Sequence, residues 1–176
     1  MNSNSAEIKI GVIGVGAMGQ NHLRVLSAMP GVRTSAICEA QDERRAEAQD
    51  RYRVPQAFAD YRDFVNEADV DAVIIAVQPE FHREVALCAF NRGLPVLLEK
   101  PLAHNHDDAM AIVLAAEANG VACLCGHVER FNPVVRKAKS FMDEGRIGTP
   151  YLVNTQRSGP FPKRLLDTKI GVLTDL

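Results

Sequence analysis

The sequence has no cluster of basic residues, no apolar run long enough to cross a bilayer, no CxxC pair, no internal repeat and no low-complexity segment. Each absence removes a class of function. Twenty Lys and Arg stand against 22 Asp and Glu, spread along the chain for a net charge of -2, so neither a nucleic-acid surface nor a membrane-seeking face is expected. The apolar runs fall well short of the ~20 residues a spanning helix needs. The first residues, MNSNSAEIKI, hold no apolar signal core and pass straight into a strand pattern, so a soluble, cytoplasmic protein is expected. The four cysteines, Cys38, Cys88, Cys123 and Cys125, are read as buried, reduced thiols. Cys123-x-Cys125 is read as sending its side chains to opposite faces of a strand, against a shared zinc; the histidines show no metal spacing, and no metal is expected.

What is present is an ordinary globular composition, 47% hydrophobic and 24% charged, enough for one packed domain and the start of another. Strand and helix patterns alternate. Ile8 to Ile13 reads as a strand, Met18 to Met29 as a helix, and Val32 to Cys38 as a second strand. Asp42 to Tyr52 reads as a charged helix capped by Asp42, and a short helix starts at Asp60 or Tyr61 and runs to Asn66. Asp71 to Val77, apolar almost throughout, suits a parallel strand covered on both faces. The helix Pro79 to Arg92 stops at Gly93. The strand Pro95 to Leu98, the helix His106 to Asn119 ending at Gly120, and the strand Val121 to Gly126 follow. This succession predicts an α/β doubly wound parallel sheet over residues 1–126, with ligands beyond the carboxyl ends of its strands.

From residue 127 to 176 the pattern changes. A helix over Pro133 to Glu144 and a strand candidate, Pro150 to Gln156, precede a Gly- and Pro-rich loop. One helix and one strand cannot bury a core alone, so this segment is expected to be the truncated start of a second α/β domain.

Gly14-x-Gly16-x-x-Gly19 follows the first strand and opens a helix. The first glycine permits the tight turn, the second lets backbone approach a pyrophosphate, and the third lets helix pack on strand. Ala17 and Met18 lie on the same turn and are candidate cofactor contacts. Glu39 closes the second strand twenty residues after Gly19, where a carboxylate accepts bonds from ribose hydroxyls and repels a 2′-phosphate. NAD is therefore expected, with NADP left open because Arg44 or Arg45 could reach a phosphate or stack on adenine. The alternative for Glu39 is a mere cap of the acidic loop EAQDE. The glycine spacing argues against an S-adenosylmethionine site.

Three later strand ends carry polar turns held by proline: Gln78-Pro79-Glu80-Phe81-His82, Glu99-Lys100-Pro101, and Gly126-His127-Val128-Glu129-Arg130-Phe131-Asn132-Pro133. Proline holds Lys100 to extended backbone, and a lysine fixed beside a nicotinamide could hydrogen-bond a substrate hydroxyl. The competing account is an exposed Glu99–Lys100 pair worth only about 0–1 kcal/mol, which does not explain its place after Leu97-Leu98. Pro79, His82 and Glu99 join Lys100 as cofactor-side candidates, although His82 and His127 could equally bond backbone. His22, His104 and His106 are read as structural or solvent-facing.

Together GVIGVGAMGQNH, CEAQDERR, VIIAVQPEFH, LLEKPLA and GHVERFNPVV resemble the glucose–fructose oxidoreductase and inositol dehydrogenase family, Gfo/Idh/MocA, over essentially the whole chain. The resemblance implies a Rossmann domain whose EKP lysine, here Lys100, lies by the nicotinamide and the reacting carbon, often with a cis Lys–Pro bond. It implies an oxidoreductase moving hydride between nicotinamide and a secondary alcohol of a sugar or cyclitol. The GHxERFNP and GPFP segments (Gly159 to Pro162) resemble members acting on nucleotide sugars. Gly171-Val172-Leu173-Thr174-Asp175-Leu176 resembles the first half of the family's G-x-L-x-D-x-x-x-H pattern. Asp175 would then be the acid beside a histidine that falls past Leu176. The resemblance implies that the chain as given binds cofactor but turns over poorly alone, and that the full-length protein is a homo-oligomer. Gln78-Pro79-Glu80 departs from the Thr-Pro-Asn of many members. Arg130 and Asn132 are candidates for substrate contact or for pinning the turn they occupy. The rival class is a nicotinamide-binding regulator without turnover, which needs the glycine loop and not Lys100.

Overall fold

The computed structural model describes residues 7–156. Chain contacts divide it into two units that meet in sequence at Gly126 and His127. In the first, six parallel strands form one sheet in the order β3-β2-β1-β4-β5-β6. They are β1 (Ile8–Ile13), β2 (Val32–Cys38), β3 (Gln56–Phe58), β4 (Ala72–Ile75), β5 (Val96–Leu98) and β6 (Cys123–Cys125). Between them run helices α1 (Ala17–Leu26), α2 (Asp42–Tyr52), α3 (Tyr61–Glu67), α4 (Pro79–Asn91) and α5 (His106–Asn119). The sheet grows outward from β1 in one direction through β2 and in the other through β4. The point where the order reverses therefore lies between β1 and β4, where open α/β sheets hold their ligands.

The pleat sends alternate side chains to two separate cores. Val12, Ile37 and Ile74 pack with Leu23, Leu26 and Ala48 of α1 and α2. Ile13, Ala36, Val73, Ile75, Val96 and Leu98 pack with Phe64, Phe90 and Ile112 of α3, α4 and α5. Each fully buried Val, Leu, Ile or Phe among them contributes about 1.5–3 kcal/mol over leaving it in water. The first of these faces thins toward the β6 edge, where Leu97 is only partly buried and Leu124, its partner in register, is 65% exposed.

Several boundaries differ from the sequence expectations. The first helix spans Ala17–Leu26, and Ala28 and Met29 donate i→i−3 bonds to Val25 and Leu26 as the chain turns off. α2 begins after Gln41 without a side-chain cap, so Asp42 lies inside the first turn and meets the helix dipole as a charge. β3 was not visible in the sequence: three residues without an apolar run pair with β2 because Ala36 to Cys38 need a neighbour. The strand read over Asp71 to Val77 pairs only at Ala72–Ile75; apolar composition runs on past the backbone ladder. Cys123 and Cys125 stand on one face of β6, since the pleat repeats every two residues, and Leu124 takes the other. Of the four thiols only Cys38 is buried; the other three are half-buried.

The second unit, by itself, holds a 3₁₀ turn (Val128–Phe131) and α6 (Pro133–Asp143) among the described residues. Val134, Val135 and Met142 on α6 are exposed. The strand expected over Pro150–Gln156 does not form; a strand exists only through a paired ladder, and the described residues offer it none. Asp175 and the GPFP segment lie outside the described residues. No helix of the described residues is long and apolar enough to cross a membrane.

Candidate functional site

The glycine turn between β1 and α1 is shaped by contacts no side chain would tolerate. Gly14 has φ +86°, and a Cβ there would lie 2.7 Å from the Ala76 carbonyl oxygen at the end of β4. A Cβ on Gly19 would lie 2.0 Å from the Gly14 oxygen, so helix and turn touch through backbone alone. Gly16 differs. Its backbone is extended, φ −65°, and a Cβ there would meet no described atom within 4 Å. Ala17 and Met18 beside it are exposed, leaving the turn open from outside.

α1 also starts unlike its neighbours. Asp60, Asn105 and Asn132 cap α3, α5 and α6 through their side chains, while α2 and α4 carry acids in their first turns. Alone among the six described α-helices, α1 has neither a capping side chain nor an acid in its first turn. Among the described residues no acid therefore partners its first N–H groups or the positive end of its dipole, which suits a phosphate. The open Gly16 and the bare helix start together fit the pyrophosphate of a dinucleotide.

Glu39 closes β2 beside this turn. Its Oε2 accepts the Val15 N–H at 3.1 Å and its Oε1 the Gln41 N–H at 3.1 Å, so the carboxylate is aimed across the turn rather than away from it. Each oxygen keeps a lone pair for a further donor. The two arginines separate. Arg45 is committed, donating to the Glu39 carbonyl (2.7 Å) and the Asp42 carboxylate (2.5 Å). Arg44 is more exposed and stands 3.7 Å from Glu39 Oε2. Cys38, under Glu39, is sealed: burial pushes its thiol up to about 12, helped by Asp60 and Glu39.

The β4 and β5 ends are joined by His82. It is 1% exposed on α4, with Nδ1 3.0 Å from the Pro101 oxygen and 3.3 Å from that of Leu102, and Nε2 3.1 Å from the Val77 oxygen. Burial lowers its pKa, against the carbonyls of Val77, Leu102 and Pro101, which favour the cation. A neutral ring donates to one of these sides only. The ring thus ties the turn at Pro79, itself half-buried, to the turn after Lys100.

Glu99 and Lys100 do not share one environment. Lys100 is exposed, but Glu99 is only 5% exposed, so the two do not form the exposed pair of the competing account. The Lys100–Pro101 peptide is cis. Glu99 Oε1 accepts a bond from His22 Nε2 at 2.7 Å, and its Oε2 accepts the Lys100 N–H at 3.1 Å. Burial alone would raise this carboxyl, but the His22 bond, the Lys100 N–H and the charges of both residues outweigh it and hold the group below its ordinary range. An ionised carboxylate only accepts, so His22 Nε2 carries the hydrogen.

Sequence reading placed His22 with the structural or solvent-facing histidines; it is half-buried and faces the β5 end from α1. Its i+3 spacing from Gly19 on the helix was the available signal, but nothing local names a partner 77 positions away. His104 and His106 are exposed. In the second unit Asn132 caps α6, accepting the Val134 N–H at 3.0 Å and donating to Glu129 at 2.9 Å, which pins its own turn. Arg130 is exposed. No group of three metal-binding side chains occurs among the described residues. A cleft lined by Leu23, Val32, Tyr52 and Arg53 lies at the opposite, amino edge of the sheet, away from every one of these groups.

A profile described as "Oxidoreductase family, NAD-binding Rossmann fold", GFO_IDH_MocA, matches residues 8–127. Inositol 2-dehydrogenase 2 of Saccharopolyspora erythraea is 34% identical over 166 residues, 93% of this chain and 49% of that enzyme. Scyllo-inositol dehydrogenase from Lactobacillus casei, solved with NAD(H) and scyllo-inositol, superimposes with a TM-score of 0.77 at 28% identity, covering 80% of this chain and 42% of that one. A levoglucosan dehydrogenase in complex with NADH gives a TM-score of 0.75 at 30% identity, over 80% of this chain and 40% of that one. The chain spans about half the length of the curated relatives it matches.

Proposed function

The chain belongs to the Gfo/Idh/MocA oxidoreductase family, with its NAD-binding Rossmann fold, and from that premise we propose that it is the cofactor-binding part of a dehydrogenase. The intact protein would move hydride between nicotinamide and a secondary alcohol of a sugar, cyclitol or nucleotide sugar. The observation that carries the reading is the bare start of α1 beside the open Gly16.

Gly14, Gly16, Ala17, Met18 and Gly19 hold the pyrophosphate through backbone N–H groups. Glu39 accepts from the adenosine ribose and repels a 2′-phosphate, and Arg44 lies over the same end. Pro79, His82 and Glu99 frame the turn that presents Lys100. When bound, the dinucleotide supplies the hydride carrier. Lys100 would donate a hydrogen bond to the substrate hydroxyl, orienting it and polarising its oxygen. Asp175 keeps the supporting role implied by the family's pattern, and Arg130 and Asn132 remain proposed for the substrate. The inositol and levoglucosan dehydrogenases support the alcohol class. A homo-oligomeric, cytoplasmic protein completes the reading.

Fluorescence titration tests the cofactor: NADH is expected to bind about tenfold or more tighter than NADPH, because a 2′-phosphate would face Glu39. In the intact protein Lys100→Met is expected to cut turnover about 10²–10⁴-fold while NADH affinity stays within about threefold. An unchanged rate would return the protein to the class of nicotinamide-binding regulators.

A further inference from the structure

Three elements meet on one carboxylate. Glu99 at the end of β5 receives His22 Nε2–H from α1 at 2.7 Å and the Lys100 N–H at 3.1 Å. Gly126, just past β6, makes room for it: a Cβ there would lie 3.0 Å from Glu99 Oε2 and 3.3 Å from Glu99 Cα. The Glu99 N–H continues the ladder to the Ile75 oxygen at 2.9 Å and the Gly126 N–H to the Leu98 oxygen at 2.8 Å, so the backbone on either side is also held.

Burying a carboxylate is costly unless it is bonded and paired, and a strand end has no intrinsic need of one. A leucine would satisfy the core here, as Leu98 does one residue earlier. What the carboxylate does that an apolar side chain cannot is join the helix opened by the glycine turn to the backbone of Lys100. The charged and titratable groups that act with it come from four elements: His22 on α1, Lys100 on its own turn, His82 on α4 and Cys125 on β6.

We infer that His22 and Glu99 form a positioning pair for Lys100, in which α1 sets, through one side-chain bond and one backbone bond, where the lysine is delivered. The inference rests on the proposed function, because it gives Lys100 a reaction to be positioned for. Neither His22 nor Glu99 touches substrate; both act through the Lys100 backbone. The helix that seats the pyrophosphate and the residue that meets the alcohol are thereby held in one register.

Two measurements test it. In the ¹⁵N-labelled chain, the Lys100 amide resonance reports the charge on Glu99. In the wild type it is expected to move only as pH falls below the ordinary carboxylate range. In His22→Phe, which removes the donor but leaves the burial, it should move at higher pH. In Glu99→Gln it should show no such step. His22→Gln restores an N–H at comparable reach and should bring the step back toward the wild-type position. In the intact protein, His22→Phe and Glu99→Gln should lower kcat about ten- to hundredfold with the KM for NAD within about threefold, while His22→Gln recovers most of the loss.

The same Lys100 amide titration in His22→Phe as in the wild type would overturn the pairing, even if Glu99→Gln fails to fold. Unchanged kcat in His22→Phe, with Lys100→Met inactive alongside it, would overturn the positioning role alone. Unchanged turnover in Lys100→Met would instead remove the proposed function beneath it.

Discussion

Glu39 and Glu99 each end a parallel strand, β2 and β5, and each aims a carboxylate at the turn that opens or faces α1. Their supports differ. Glu39 accepts two backbone N–H groups and keeps arginine side chains nearby, so every partner is a main-chain donor or a neighbour on α2. Glu99 relies on a single side chain brought from α1 across the sheet, on the N–H of its own successor, and on a glycine that clears space. One half of the site is built from a contiguous motif and the next strand's acid. The other half is assembled from three strand ends and a helix. A motif half tolerates change away from its backbone contacts; an assembled half depends on each member.

The largest expected effect lies below the two rims. Cys38 ends β2 and Cys125 ends β6, and burial raises both thiols, Cys38 up to about 12 from 9.0. Three pH units correspond to a roughly thousandfold smaller thiolate fraction near pH 8 than for an unperturbed thiol. Alkylation followed by peptide mass mapping should label half-buried Cys125 well before buried Cys38. Equal rates would show that the motif half opens as readily as the assembled half. For stability the sign follows from the raised value: the Cys38 contribution is intact below pH 9.0 and is lost as pH rises toward about 12.

Next come the glycines. Gly19→Ala must displace the Gly14 carbonyl and is expected to cost about 3 kcal/mol in denaturant unfolding. Gly16→Ala has room and should cost about 1 kcal/mol or less, yet weaken NADH binding about tenfold by filling the approach to the phosphates. Equal stability losses in the two variants would contradict the reading of Gly16 as a ligand's space.

His22→Phe breaks the assembled half and should cost about 2 kcal/mol near neutral pH, since it strands a buried acceptor. The folded Glu99 value is depressed, so its stabilising contribution is present above 4.5 and lost as pH falls through its lowered range. The difference between wild type and His22→Phe in urea unfolding should therefore shrink on acidification. A gap that widens toward low pH would sink this account.

The smallest effect separates the arginines. Arg45→Ala removes two bonds and should cost about 1 kcal/mol. Arg44→Ala should stay within about 0.5 kcal/mol while changing the preference for NADH over NADPH, read by titration.

How much could be read in advance follows from the same contrast. The alternation of apolar runs with helical periods was enough for the doubly wound sheet, because a parallel strand covered on both faces must be apolar throughout. β3 escaped because Gln56 to Phe58 has no period; it is a strand only because β2 has an open edge there. The strand expected at Pro150–Gln156 failed for the converse reason. The Glu99–Lys100–Pro101 turn stood out as an oddity at a strand end, but its partner could not be named. His82 was left between a cofactor role and backbone bonding; in the fold its two nitrogens face three carbonyls from two turns.

By itself the sequence determined what depends on neighbours in the chain: the alternation of the longer strands and helices up to Gly126, the glycine turn, the acid after β2 and the proline after Lys100. Only the tertiary structure decided which strand ends lie side by side, and so that a histidine of α1 meets a glutamate of β5 over a glycine beyond β6. The reason is that periodicity and turn chemistry act over a few residues, whereas the burial of a carboxylate, and the choice of the group that offsets its desolvation, are settled by the order of strands in the sheet.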